Sequence, residues 1–285
     1  GHIKITDFIL QRGSQSIKLE KPSRLVFKSG LSQMENIVLK GEDSFLSLQL
    51  NQNSSASTKL SINADLQLRM LQFLIPFAQS LTGNLVLDTR ISLNNNSFEM
   101  LGEGELIDGY VIMKGFPQAI ENINTPIEFS KSKIFLNDIT GKMGPSDVTG
   151  LGQIEILGPQ NIQVNLRAIA DSVELNFPDK ILSAGKASLL FSGNWLPYKL
   201  KIDYKVSTGL IQKDFETESR QSSTLRASSF LPPKQIEELT PSLTLDVNVD
   251  LTNDIIIKNK LIEGEANGFL NISGNIESPH IKGKV

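Results

Sequence analysis

Apolar and polar residues alternate with period two along most of the chain. Ile17 and Leu19 alternate with Lys18 and Glu20, and Leu46, Leu48 and Leu50 alternate with Ser47 and Gln49. Leu85, Leu87, Thr89, Ile91 and Leu93 form one set, with Asp88, Arg90 and Ser92 between them. The same holds for Ile162, Val164, Leu166 and Ala168, for Val173, Leu175 and Phe177, and for Leu200, Ile202, Tyr204 and Val206. It holds again for Leu243 to Leu251 and for Leu270, Ile272, Gly274 and Ile276. Successive side chains of a strand point to opposite faces, so each run carries one apolar and one polar face. Turn residues separate the runs at Lys28-Ser29-Gly30, Asn94-Asn95-Asn96, Gly158-Pro159, Gly193-Asn194 and Ser278-Pro279. The spacing predicts roughly sixteen to eighteen strands of an all-β protein. One apolar and one polar face per strand predicts mostly antiparallel pairing with a wet outer face.

One stretch follows a helical period. Leu68, Leu71, Leu74, Ile75, Ala78 and Leu81 recur at spacings of three and four, which predicts a short helix near residues 67–81. Pro76 should kink it and Gly83 should stop it. A weaker helical turn is expected over Pro233–Leu239. The polar segment 213–229 reads as a mobile loop or linker. No stronger boundary divides the chain, so residues 1–285 are expected to form one continuous, elongated segment. Ser192-Gly193-Asn194 followed by Pro197 is echoed by Ser273-Gly274-Asn275 followed by Pro279, a weak repeat of a strand and its turn.

So many one-sided strands, with almost no helix to cover them, leave a large apolar face. Two sheets could face each other, one sheet could close into a barrel, or the sheet could curl into an open trough. The alternating apolar sets are mostly Leu, Ile and Val, whereas sandwich cores usually include large aromatics. At ~4.8 Å per strand the sheet would be on the order of 80 Å long. An aliphatic trough of that length suits hydrocarbon chains, since each buried methylene contributes ~0.8 kcal/mol. Open edges would invite pairing with another copy, so self-association is expected, as is origin from a longer protein.

Composition removes most other chemistry. The 285 residues hold no cysteine, and of the two histidines one lies near each end, at His2 and His280. Disulfides, thiolate metal sites and histidine-based triads are therefore excluded or very poorly supplied. A net charge of −3 and 6% aromatic content offer neither a basic footprint nor stacking platforms for nucleic acid. No nucleophile elbow, phosphate-binding loop or paired-histidine zinc motif is present. Gly102 with Gly104, and Gly150 with Gly152, sit in alternating runs, where glycine marks curvature or close backbone approach. Glu103 with Glu105, Glu263 with Glu265, and the Asp246, Asn248, Asp250 row read as solvated outer faces. No enzymatic activity, metal or cofactor is expected.

A set of motifs in a particular order resembles the C-terminal region of the TamB family, AsmA-like proteins of the double-membrane bacterial envelope. Lys114-Gly115-Phe116-Pro117 precedes Ile120-Glu121-Asn122-Ile123-Asn124; Ile127, Phe129, Ile134, Leu136, Asp138, Ile139 and Gly141 follow. Gly144 then precedes Val148-Thr149-Gly150 and Gly152, and the Val173–Pro178 run leads to Leu189-Leu190-Phe191-Ser192-Gly193. Gly268 to Gly274 and Ser278 to Gly283 resemble the family's tail, and Leu66 to Gly83 resembles the short helix of AsmA-like repeats. The resemblance implies a U-shaped β-taco groove with an apolar interior, in the periplasm, with the full-length protein anchored in the inner membrane. It also implies a bridge-like lipid transfer role, with phospholipid and an outer-membrane barrel of the TamA type as partners.

Combined with the alternation, this makes Leu85, Leu87, Ile91, Val148, Ile154, Ile156, Ile162, Val164, Leu166, Val173, Leu175, Leu200, Ile202, Leu245, Val247, Val249, Leu270 and Ile272 the candidate groove lining. Head groups would stay in water at the open slot. Two other readings compete. One is a scaffold for outer-membrane protein assembly that uses the strand edges. The other is a structural β-solenoid with a dry interior.

Overall fold

The computed structural model describes residues 1–12, 15–27, 31–54, 57–75, 77–94, 97–114, 116, 118–158, 161–176, 181–194, 196–212, 243–259, 263–275 and 278–284. The 213–229 segment, the Pro233–Leu239 turn, Pro76, Phe177 and Ile276 lie outside them. The described residues form eighteen strands in one sheet. In chain order these are β1 His2–Ile5, β2 Ile9–Arg12, β3 Gln15–Leu19, β4 Ser23–Phe27, β5 Leu31–Lys40 and β6 Phe45–Ser54. They continue with β7 Ser57–Gln67, β8 Ala78–Asn94, β9 Ser97–Met113, β10 Ile120–Lys131, β11 Lys133–Met143 and β12 Ser146–Gly158. The last six are β13 Asn161–Asn176, β14 Ile181–Asn194, β15 Tyr198–Ile211, β16 Leu243–Lys258, β17 Glu263–Asn275 and β18 Ser278–Lys284.

From β5 to β18 each strand pairs with the next in sequence. At the start, β4 and β3 share the outer side of β5, with β1 on β4 and β2 on β3. Every pair is antiparallel except β15 with β16. Parallel neighbours need a connection of a dozen or more residues, and the chain between Ile211 and Leu243 supplies that length. Asn248 on β16 stitches this joint on the outer face. Its amide donates to Asp203 on β15 at 2.9 Å, and it accepts from Asn271 on β17 at 2.8 Å.

The helix is shorter than its period predicts. A 3₁₀ helix, η1, spans Leu68–Leu74, and Ala78 and Leu81 belong to β8 instead. The reason is local pairing. The side-chain amide of Gln72 donates to the carbonyls of Ala78 and Gln79, ending the turn, and from Ala78 onward β9 supplies a strand partner. Gly83 is not a helix stop. With φ +125° it sits at a break in the β8–β9 register, where a Cβ would press on the backbone of Gly109.

The sheet is folded along a line of bulges. The inward set changes parity between Leu106 and Gly109 in β9, between Ile120 and Ile123 in β10, and between Leu136 and Ile139 in β11. It changes again between Ala170 and Val173 in β13 and between Val206 and Gly209 in β15. A bulge bends its strand and re-aims the side chains beyond it. Asp108, Asn122 and Asp138, at the first three of these breaks, have φ near +50°, the left-handed region that Asn and Asp tolerate best. Asn124 ties this line together. Its side-chain oxygen accepts from the Asp108 amide at 3.0 Å and its amide donates to the Asn122 carbonyl at 2.8 Å. The Ser146 hydroxyl donates to the Ser172 carbonyl where β12 begins and β13 bulges. A buried cluster fills the bend: Val148, Ala170, Val173, Tyr204, Val206 and Ile255.

That the sheet curls over its apolar face follows from one contact. Phe77, just before β8, meets Phe191 on β14 with ring centroids 5.7 Å apart. Strands β9 to β13 lie between, so a flat sheet would separate β8 from β14 by about 29 Å.

Candidate functional site

One apolar row crosses almost the whole sheet. Directly paired residues share a face, and the pairing runs Leu19, Leu39, Leu46, Ala64, Leu87, Gly104, Ile127. It continues through Leu136, Gly152, Leu166, Phe191, Leu200, Leu245 and Gly274. From β3 to β17 this row holds no polar side chain. The glycines let their neighbours close over them; a Cβ at Gly152 would touch Leu136 and Leu166.

The sequence-predicted lining residues fall on this same face. Leu85 stands between Leu66 and Leu106, and Ile91 between Leu60 and Met100. Ile154 stands between Ile134 and Val164, Ile156 opposite Ile162, and Val148 opposite Gly141. Val173 faces Gly185 and Leu175 faces Ser183. Ile202 stands between Leu189 and Val247, Val249 between Tyr204 and Leu270, and Ile272 opposite Val247. Val148, Val173 and Leu200 are buried; the others are half-buried, although they face inward. A closed sandwich core would bury them fully.

Three residues on this face escape the alternation reading, and Tyr204, a member of one alternating run, is missing from the expected lining. Phe191 lies in a run where Leu190 masks the period. Leu39 follows a break near Asn36, and Met70 belongs to η1. Met70 is 2% exposed and packs in a second cluster with Ile17, Leu39, Ala64 and Leu66. With Leu71 it also closes a cavity of about 330 Å³ lined by Ile5, Phe8, Leu10, Ile17, Leu19, Ile37, Leu39, Leu46, Leu48 and Leu66. All of these side chains are apolar.

The buried threonines and Tyr204 find partners within the protein, whereas the buried side-chain oxygens of Gln15 and Asn84 have none. The Thr125 hydroxyl donates to the Asn137 carbonyl at 2.9 Å and the Thr89 hydroxyl to the Leu101 carbonyl at 3.3 Å. The Tyr204 hydroxyl lies 3.2 Å from the Val173 carbonyl and 3.1 Å from the Ser183 hydroxyl; burial raises its pKa above the ordinary phenol value. Among the described residues no carboxylate or cation is buried, and no cluster has the makings of a metal site. Glu103, Glu105 and Asp246 are exposed. Ion pairs such as Lys186 with Asp171, at 2.6 Å, stand in solvent. Among the described residues the inner face thus offers mainly apolar contact surface.

A family model for the TamB C-terminal domain matches residues 137–285, just over half the chain. The chain belongs to the TamB family. The match starts within β11 and runs through β18, so it takes in the line of bulges in β13 and β15, the parallel joint and the Phe191 wall. The all-apolar cavity and η1 lie outside it. No curated protein and no solved structure matches the chain. Among the described residues no helix is long and apolar enough to cross a membrane.

Proposed function

We propose that this TamB-family chain carries phospholipid acyl chains along its inner face, as a periplasmic stretch of a bridge between inner and outer membranes. The observation that carries the reading is the unbroken apolar row from β3 to β17, whose inward side chains are mostly only half-buried. Covering about ten methylenes there would contribute about 8 kcal/mol gross, enough to hold a chain without any hydrogen bond. The hydroxyls of Thr89, Thr125 and Tyr204 are bonded within the protein, and the head group stays at the slot in water. A lipid held by contact alone can slide from row to row, because no position along the row is chemically distinct. The role needs no catalytic residue. By family membership, an outer-membrane barrel of the TamA type is the natural receiver.

Assembly of outer-membrane proteins is the second reading. Among the described residues β18 has a ladder partner on one side only, and its Ile281 is 68% exposed. Such an edge can take up a client strand. Photo-crosslinking residues placed at Ile154 and Leu270 separate the two in cells. Lipid adducts are expected at both positions; polypeptide adducts at these sites, with no lipid, would replace the conduit by the scaffold.

A further inference from the structure

The contact between Phe77 and Phe191 does more than report the curl. Phe77 lies three residues beyond the end of η1, and its backbone is pinned: its carbonyl accepts from the Lys114 amide at 3.0 Å. The Ala78 amide next to it donates to the Ile75 carbonyl at 3.0 Å, and Gln72 holds the Ala78 and Gln79 carbonyls. These bonds fix the backbone at Phe77 relative to η1, while the ring keeps its own torsional freedom. Opposite it, Phe191 stands in the central apolar row between Leu166 and Leu200, and it stacks at 5.1 Å with Tyr198 on the next strand. The same short segment that closes the 330 Å³ cavity with Met70 and Leu71 thus also reaches the far wall. In sheet order the cavity and β1–β7 precede this contact, β15–β18 follow it, and β9–β13 lie between its two walls.

We propose that Phe77, Phe191 and Tyr198 form an aromatic gate across the trough, which an acyl chain must part to pass between the cavity and the C-terminal rows. The proposal rests on the lipid-carrying reading. An aromatic pair suits such a gate. Its contact strength is modest, so thermal opening is frequent, and each ring can rotate to cover a passing chain as it covers its partner. The gate would make passage stepwise rather than continuous.

The absence of cysteine makes the test clean. A double variant, Phe77→Cys with Phe191→Cys, is joined by a short thiol crosslinker whose spacer a reductant cleaves. The protein is loaded with a phospholipid bearing a fluorescent acyl chain, and transfer to vesicles of phosphatidylethanolamine and phosphatidylglycerol is followed. Joined protein should transfer at least about tenfold more slowly than the same protein after cleavage. Phe77→Ala should transfer about two- to tenfold faster than the parent, the range expected for losing one aromatic pair. Equal rates before and after cleavage would overturn the gate while leaving lipid carriage standing. Failure of the parent protein to take up any labelled lipid would overturn lipid carriage and the gate with it. The comparison before and after cleavage uses one folded sample, so misfolding cannot mimic the result.

Discussion

At Val247 the side chain faces inward between Ile202 and Ile272, half-buried and without a polar neighbour in its row. Leu151, by contrast, points outward, is 61% exposed and stands opposite Arg167. An aspartate at each position separates interior from surface. Val247→Asp puts a carboxylate where a hydrocarbon chain would lie, and desolvating it should cut bound phospholipid about tenfold or more. Leu151→Asp gains a cation across the strand and should leave lipid content unchanged. Phosphorus per protein after purification measures both, with circular dichroism confirming that the strands form. These inward and outward roles were legible in the sequence because period two is a direct image of the pleat. Asp108, Asn122 and Asp138 were not. They look like ordinary turn residues, and only the register shows them inside long strands, bending them.

Those bends set the behaviour of the elements. Strands β9, β10, β11, β13 and β15 each change the parity of their inward set, so a reading that extends one alternation to the strand end assigns the far limb to the wrong face. The mostly antiparallel expectation leaves the one parallel joint unlocated: Leu200 to Val206 and Leu243 to Leu251 alternate cleanly, and alternation is silent about strand direction. The helical period near 67–81 fails beyond Leu74 because β9 pairs with the chain from Ala78 onward; Ala78 and Leu81, three apart, are both buried because the register slips between Ala78 and Ser80. The bend has its own test at Asp138, which is exposed and has φ +51°. Asp138→Gly should fold as well as the parent. Asp138→Val should lose about 1–3 kcal/mol, since a β-branched residue resists the left-handed region. Urea unfolding of the two variants measures the difference.

For the molecule as a whole, one sheet serves as both scaffold and site. Bulges bend β9, β10, β11, β13 and β15, a buried cluster from Val148 to Ile255 fills the bend, and half-buried aliphatic rows line the inner face. Composition and alternation pointed to this architecture, because a chain with many one-sided strands and little helix must cover its apolar face with something. They could not locate the crossing of Phe77 to Phe191, which depends on how far the sheet curls between β8 and β14 rather than on any local pattern. What covers the rows is the central question, and native mass spectrometry of the purified, intact chain addresses it directly. Lipid carriage predicts adducts at phospholipid masses that organic solvent releases as phospholipid. A bare chain that also gains no adduct after incubation with phospholipid vesicles would contradict it.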